Sequence, residues 1–270
     1  MEIQAKKKFG QNFISDENLI NKIINILGDD SNQLIIEIGP GTGALTQKLV
    51  NKFDKVVAIE IDEDMESILR SKISSENFIF VLSDVLEVNF KELIQKEKSN
   101  DNQKVSIISN MPYYITSEIL FRTFEINDLL DKAVFMMQKE VAVRLCANKG
   151  ENNYNNLSVA AEFYADKKYE FTVSKGMFRP IPKVDSAIIS LTFKNNNIVL
   201  VDDSKKFVSF VRKLFNNKRK TILNNLSTIT ANKEIASEIL DKIGLDKSKR
   251  PEVIGMNEFI NLYNEFSKIK

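Results

Sequence analysis

Five short, nearly unbroken apolar runs decide what this chain can fold into: "LIIEI" (34–38), "VVAIE" (56–60), "FIFVL" (78–82), "VSIIS" (105–109) and "AVFMM" (133–137). Each has the length of a strand, and none alternates apolar with polar residues as a half-exposed strand does. Strands that are apolar on both faces need cover on both, the condition of a parallel sheet between helices. The stretches near 44–53, 62–72, 116–126 and 138–147 read as the covering helices. Ahead of the first strand, "ENLINKIINIL" sets Leu19, Ile20, Ile23, Ile24 and Leu27 at helical spacing. The pattern predicts a doubly covered α/β sheet.

Near its end this region carries "KKYEFTV" and "VDSAIISLTF", which read as a closing antiparallel pair. The irregular "SKGMFRPIPK" joins them, and Pro180 and Pro182 rule out a helix there. After the linker-like "KNNNIVLVDDS" every remaining run is helical. The expected organisation is therefore an α/β domain over 1–195 and a small all-helical domain over 204–270.

Composition then excludes chemistries. The chain has no histidine, so a Ser-His pair or a His general base is out, and one cysteine, Cys146, makes neither a zinc site nor an internal disulfide. No apolar run is long enough to span a bilayer, and the N-terminal "MEIQAKKKFGQNF" lacks the apolar core of a signal peptide, so a cytoplasmic, non-membrane protein is expected. Nothing in the sequence suggests more than a monomer. The net charge of +1 hides a split: residues 1–193 hold 23 Lys and Arg against 28 Asp and Glu, while 194–270 hold 15 against 9. A basic C-terminal segment beside a near-neutral total suits a nucleic-acid partner or a solvated helix face equally.

The first strand runs into "EIGPGTGALT", where Gly39, Gly41 and Gly43 allow a tight turn and close approach of backbone to a ligand. By itself this pattern fits either a dinucleotide or another adenosine cofactor. Glu60 ends the second strand, placed to accept from ribose hydroxyls, and Asp84 ends the third, placed to accept from an adenine amine. Glu37 adds another acid, and the glycine turn contains no Lys or Arg. Carboxylates without cations suit S-adenosylmethionine, with its sulfonium and ammonium, better than a pyrophosphate. A dehydrogenase reading rests on Tyr164 and Lys168 at Tyr-x-x-x-Lys spacing, but the serine expected about a dozen residues earlier is missing from "GENNYNN".

After the fourth strand comes "SNMPYYIT". An exocyclic adenine amine is a poor nucleophile because its lone pair is delocalised into the ring. Acceptors for its two N–H groups favour a pyramidal nitrogen. Asn110 offers a carbonyl oxygen, the Met111 backbone carbonyl offers a second, and Tyr113 offers a flat face for an unstacked base. The proton leaves the product ammonium readily, so no histidine is needed.

Together "KKFGQNFI", "EIGPGTGALT", "AIEID", "SDVL", "NMPYYIT", "MMQKEVAVRL", "MFRPIPKVDSAI" and "FNNKRKTILNNL" resemble the ribosomal RNA adenine dimethyltransferase family, in order and over nearly the whole chain. The resemblance implies a class I methyltransferase, Rossmann-like with a mostly parallel seven-stranded sheet, and a helical C-terminal rRNA-binding domain. It implies that Asn12, Ile14, Gly39, Gly41, Glu60, Ile61, Asp84, Val85 and Asn110 contact S-adenosylmethionine. It also implies that Asn110, Met111 and Tyr113 form the target-base motif, with Phe178 opposite Tyr113 across the base. The small-subunit branch dimethylates two adjacent adenosines in the 3′-terminal hairpin of 16S rRNA, and a late small-subunit assembly intermediate is the expected partner. The alternatives are a large-subunit adenine methyltransferase of the macrolide-resistance type and a non-catalytic RNA-binding factor on the same fold. Two departures stand out: Asn155-Asn156 replaces the family's usual Gly-Arg, and Met111 replaces Leu or Ile. Arg212, Lys213, Lys218, Arg219 and Lys220 are the candidate phosphate contacts, with Lys6, Lys7 and Lys8 beside them.

Overall fold

The computed structural model describes residues 11–193 and 196–269. Lys6, Lys7 and Lys8 lie outside the described residues. In chain order the elements begin β1 (Phe13–Ile14), α1 (Glu17–Asn25), β2 (Gln33–Ile38), α2 (Thr46–Lys52), β3 (Lys55–Glu60), α3 (Asp64–Lys72), β4 (Phe78–Leu82) and α4 (Phe90–Glu97). They continue with β5 (Lys104–Asn110), α5 (Thr116–Glu125), β6 (Lys132–Gln138), α6 (Lys139–Cys146), α7 (Asn156–Tyr164), β7 (Ala165–Val173), β8 (Phe178–Arg179) and β9 (Ser186–Phe193). The last four helices are α8 (Ser204–Leu214), α9 (Ile222–Thr230), α10 (Lys233–Lys242) and α11 (Met256–Ser267).

Seven strands form one sheet in the order β4-β3-β2-β5-β6-β9-β7. The pairs β2–β3, β3–β4, β2–β5 and β5–β6 are parallel, and β9 enters antiparallel to β6. The central strand β2 is buried at every position, as its apolar run requires. Ile35 joins a cluster with Leu19, Ile23 and Ile24 of α1 and Leu49 of α2. The alternate residues Leu34 and Ile36, with no exposed surface, point to the opposite layer. Helix α1 starts where Asp16 accepts a hydrogen bond from the Leu19 amide at 2.7 Å, an N-cap. The expected closing strands β7 and β9 are sheet neighbours, and the irregular segment between them holds the short β8, paired antiparallel with β1.

The chain divides into two compact units, 1–142 with 168–193 and 143–167 with 194–270. This departs from the expected boundary at 195, because residues 143–167 pack in the second unit. The reason is aromatic: Phe163 of α7 lies 4.5 Å from Phe207 of α8 between ring centroids, and Phe207 meets Tyr263 of α11 edge-on at 5.6 Å. Tyr154 packs on Phe215, and its buried hydroxyl donates to the Ile254 carbonyl at 3.2 Å. Asn155 is the N-cap of α7, accepting from the Leu157 and Ser158 amides while the Ser158 hydroxyl accepts from the Asn155 amide. Among the described residues no helix is long and apolar enough to cross a membrane.

Candidate active site at the strand ends

Parallel strands end together, and the register of this sheet aligns its C-terminal edge. Ile38 of β2 stands opposite Ile59 of β3 and Ser109 of β5, so Glu60 and Asn110 lie one residue beyond the end of β2 on either side. Leu82 of β4 pairs with Glu60, which brings Asp84 to the same edge. Because β3 and β5 flank β2, the connections leave in opposite directions here and open a crevice. A cleft of about 940 Å³, counted out to its mouth, fills that crevice.

Its floor is the glycine turn. Gly39, Gly41 and Gly43 adopt φ of +69°, +54° and +83°, a region that disfavours any residue with a Cβ. At Gly41 the reason is doubled, since a Cβ there would stand 3.0 Å from the Phe13 ring. The Gly39 amide bonds the Ile59 carbonyl at 2.9 Å, tying the turn to β3.

Glu60 is buried, and its two oxygens accept from the backbone amides of Gly41 (3.2 Å), Ile61 (3.0 Å) and Asp62 (2.9 Å). Burial raises its pKa and these hydrogen bonds oppose the rise. A carboxylate has about four lone-pair sites, so three donors leave room for a ligand hydroxyl. Asp84 accepts from the Leu86 amide at 2.8 Å. Glu37, just before the turn, is 1% exposed. Burial pushes its carboxyl up to about 8, the Glu60 charge adding to the shift and the Thr46 hydroxyl opposing it in part. Its Oε2 has no hydrogen-bond partner among the described residues.

The opposite wall comes from Asn110 and Met111. The Asn110 side-chain NH2 donates to the Asn12 backbone carbonyl at 2.9 Å, which leaves the Asn110 carbonyl oxygen as the acceptor end. The Met111 amide donates to the Met136 carbonyl at 2.9 Å and fixes that peptide. The same Asn12 contact draws residues 11–14 across the cleft as a strap. Gln11 donates to Asp62 at 2.9 Å, and β1 pairs with β8.

Of the residues expected from sequence, the cleft brings together Asn12, Ile14, Gly39, Gly41, Glu60, Ile61, Asp84, Val85, Asn110 and Met111. It does not include Tyr113 or Phe178. Tyr113 is half-buried, its hydroxyl 2.6 Å from that of Ser186 on β9. Phe178 has no exposed surface and packs into the cluster of Ile14 and α1, so its ring faces are covered by protein. The ring in the wall is instead Tyr114, 55% exposed, whose hydroxyl pKa is raised by burial and then by the carboxylates of Asp84 and Glu60. Tyr114, adjacent to Tyr113 in the sequence, was not among the expected site residues, and neither were Asp62 and Ser186. Tyr164 is buried with its ring edge-on to Phe163, and Lys168 bonds Glu170 at 2.7 Å.

The donor set tests the cofactor. The cleft wall contains Glu37, Glu60 and Asp84, and no Lys or Arg among the described residues. A diphosphate would lack a counter-charge there, whereas the sulfonium and ammonium of S-adenosylmethionine would meet acceptors. The residues fit that group.

Fold and cleft thus define a class I methyltransferase. Residues 2–268 match the family described as ribosomal RNA adenine dimethylase, and the chain belongs to that family. It is 68% identical to the ribosomal RNA small subunit methyltransferase A of Mesoplasma florum, over 98% of this chain and 99% of that one. It is 59% identical to the protein of that name from Mycoplasma mycoides, over 97% of each. Among solved structures, a dimethyladenosine transferase from Plasmodium falciparum superposes with a TM-score of 0.80 at 26% identity, covering 95% of this chain and 98% of that one.

Proposed function

We propose that this chain dimethylates the exocyclic amines of two adjacent adenosines in the 3′-terminal hairpin of 16S rRNA, on a small-subunit assembly intermediate, with S-adenosylmethionine as donor. The observation that carries the chemistry is the Asn110 amide. Its nitrogen is tied to Asn12, and Asn110 lines the same cleft as Glu60 and Asp84, on the wall opposite them. The small-subunit assignment draws on the names of relatives at 59–68% identity, which favours it over the large-subunit alternative.

In this reading Glu60 and Asp84 hold the ribose and adenine of the donor, Asn12 and Ile14 close over it, and Ile61 and Val85 supply apolar contact. The donor supplies an electrophilic methyl. Asn110 Oδ1 and the Met111 carbonyl accept the two N–H groups of the target amine and leave its lone pair directed at that methyl. Carbonyl acceptors serve again for the second transfer, with one N–H replaced by a methyl. Water takes the proton from each product ammonium. Tyr113 offers a ring edge at the rim. Phe178 supports β1 and the strap from below, in place of the stacking role expected for it.

RNA affinity comes from the second unit. Arg212, Lys213, Lys218, Arg219 and Lys220 are all exposed at the end of α8 and the turn that follows. Phosphates are the ligands such a cluster takes.

The test is to incubate the protein with undermethylated small subunits and labelled S-adenosylmethionine, then map the modified bases. Two adjacent dimethyladenosines near the 3′ end of 16S rRNA are expected. Label in the large subunit, or none, overturns the proposal.

A further inference from the structure

The loop 180–185, "PIPKVD", is unlike its surroundings in the first unit. Ile181 is 60% exposed and Val184 45% exposed, and Ile181 is the most exposed large apolar residue among the described residues of the first unit. Pro180 and Pro182 flank Ile181 and restrict the backbone on either side. Arg179 and Lys183 are exposed on the two sides of the same tip, and Lys175 and Lys139 are exposed nearby in the chain and the fold. Ile181 and Val184 together form an apolar point on a stiff support between cations.

Both ends of this loop are fastened to the parts that build the cleft. At one end Arg179 pairs with Phe13, and Phe13 is itself in the cleft wall. At the other, the Ser186 hydroxyl meets the Tyr113 hydroxyl at 2.6 Å, and the Asp185 carbonyl accepts from the Lys139 amide at 3.0 Å. The Asp185 carboxylate also accepts from the Lys175 amide at 2.9 Å, which fixes the turn leading into β8. The tip is thus held at the rim, next to the residues assigned to the target base.

Resting on the function proposed above, we infer that Ile181 is a wedge. When one adenosine is drawn out of its stack, the adjacent one is left with a bare face. Ile181, with Val184 behind it, occupies the vacated space, while Arg179 and Lys183 take the flanking phosphates. Proteins that unstack nucleic acids commonly insert an apolar side chain in this way. The partner of the loop is therefore the RNA strand that carries the target. Extrusion of the second adenosine leaves an equivalent gap, so the wedge acts in both rounds.

Two measurements test this. With undermethylated small subunits, Ile181→Ser should lower kcat by about tenfold, Ile181→Leu should restore most of it, and the Kd for S-adenosylmethionine should stay that of the parent. Second, an Ile181→Cys protein in a Cys146→Ser background, carrying a thiol-linked benzophenone, should cross-link to nucleotides beside the target adenosines. A parental rate for Ile181→Ser, or cross-links confined to distant nucleotides or to protein, overturns the wedge while the parent still labels 16S rRNA. If the parent labels nothing, the functional reading itself has failed, and the wedge with it.

Discussion

The function proposed above gives the Asn110 side chain two jobs that different substitutions separate. Asn110→Leu removes the Nδ2 donor to the Asn12 carbonyl, a 2.9 Å bond, and the Oδ1 acceptor as well. Losing the first removes a hydrogen bond to a part-buried carbonyl, at about 0.5–1.5 kcal/mol, and loosens the strap that bounds the donor cleft. That loss corresponds to a rise of roughly 2- to 13-fold in the Kd for S-adenosylmethionine. Losing the second removes an oriented group from the reacting amine. By analogy with deleting one oriented hydrogen-bonding group from an oxyanion hole, this lowers kcat by about 10²–10³-fold. Asn110→Asp keeps an oxygen acceptor and abolishes the donor. It should share the Kd defect of the leucine variant and retain far more of its kcat. Calorimetry gives the Kd, and methyl transfer at saturating donor gives kcat. A leucine variant within about threefold of the parental kcat would refute the acceptor role. An unchanged Kd in both variants would refute the strap.

Three further outcomes are expected. Glu37 has a folded pKa raised from 4.5 to about 8, so the folded state binds a proton that the unfolded state has lost across that window, and stability falls as pH rises through it. The slope is at most about 1.4 kcal/mol per pH unit, and Glu37→Gln should flatten the profile of Tm between pH 5 and 8. Replacing Lys218, Arg219 and Lys220 together with Ala should weaken subunit binding and reduce the slope of log K against log salt by roughly 0.7–0.9 for each phosphate left unneutralised, measured by filter binding. Phe207 has no exposed surface and packs between Phe163 and Tyr263, so Phe207→Ala should destabilise the protein by about 3–5 kcal/mol in a urea titration.

The sheet was legible because its strands are buried on both faces, and continuous apolar runs of strand length are compatible with few other folds. All five expected parallel strands occur within a residue of their expected bounds. Helix α7 was not legible. Six of its nine residues are buried, so no polar face marks a helical period in "NLSVAAEFY", and its partners Phe207 and Tyr263 lie far along the chain. The same long-range packing moved the unit boundary. In the cleft, the acids and amide were legible because strand ends are predictable places. Tyr113 and Tyr114 were not distinguishable, since the feature that separates them is a hydroxyl on β9, 73 residues away. Phe178 illustrates the same limit: its neighbours on β8 give no hint that pairing with β1 will bury it.

The cleft residues also hold one another in place, and this bears on how any substitution there is interpreted. Glu60 orders the Gly41, Ile61 and Asp62 amides, Asp84 orders the turn at Leu86, and Asn110 holds the strap. Each is therefore already oriented by backbone contacts before a ligand arrives, which lowers the ordering cost of binding. Truncating any of them to alanine frees backbone groups, three amides in the case of Glu60 and one group each for Asp84 and Asn110, and confounds a binding defect with a local folding defect. Near-isosteres reduce that. Glu60→Gln keeps one acceptor oxygen for the Ile61 and Asp62 amides, loses the acceptor for the Gly41 amide and loses the charge, so a fall in donor affinity without a fall in Tm would assign the carboxylate charge to the ligand.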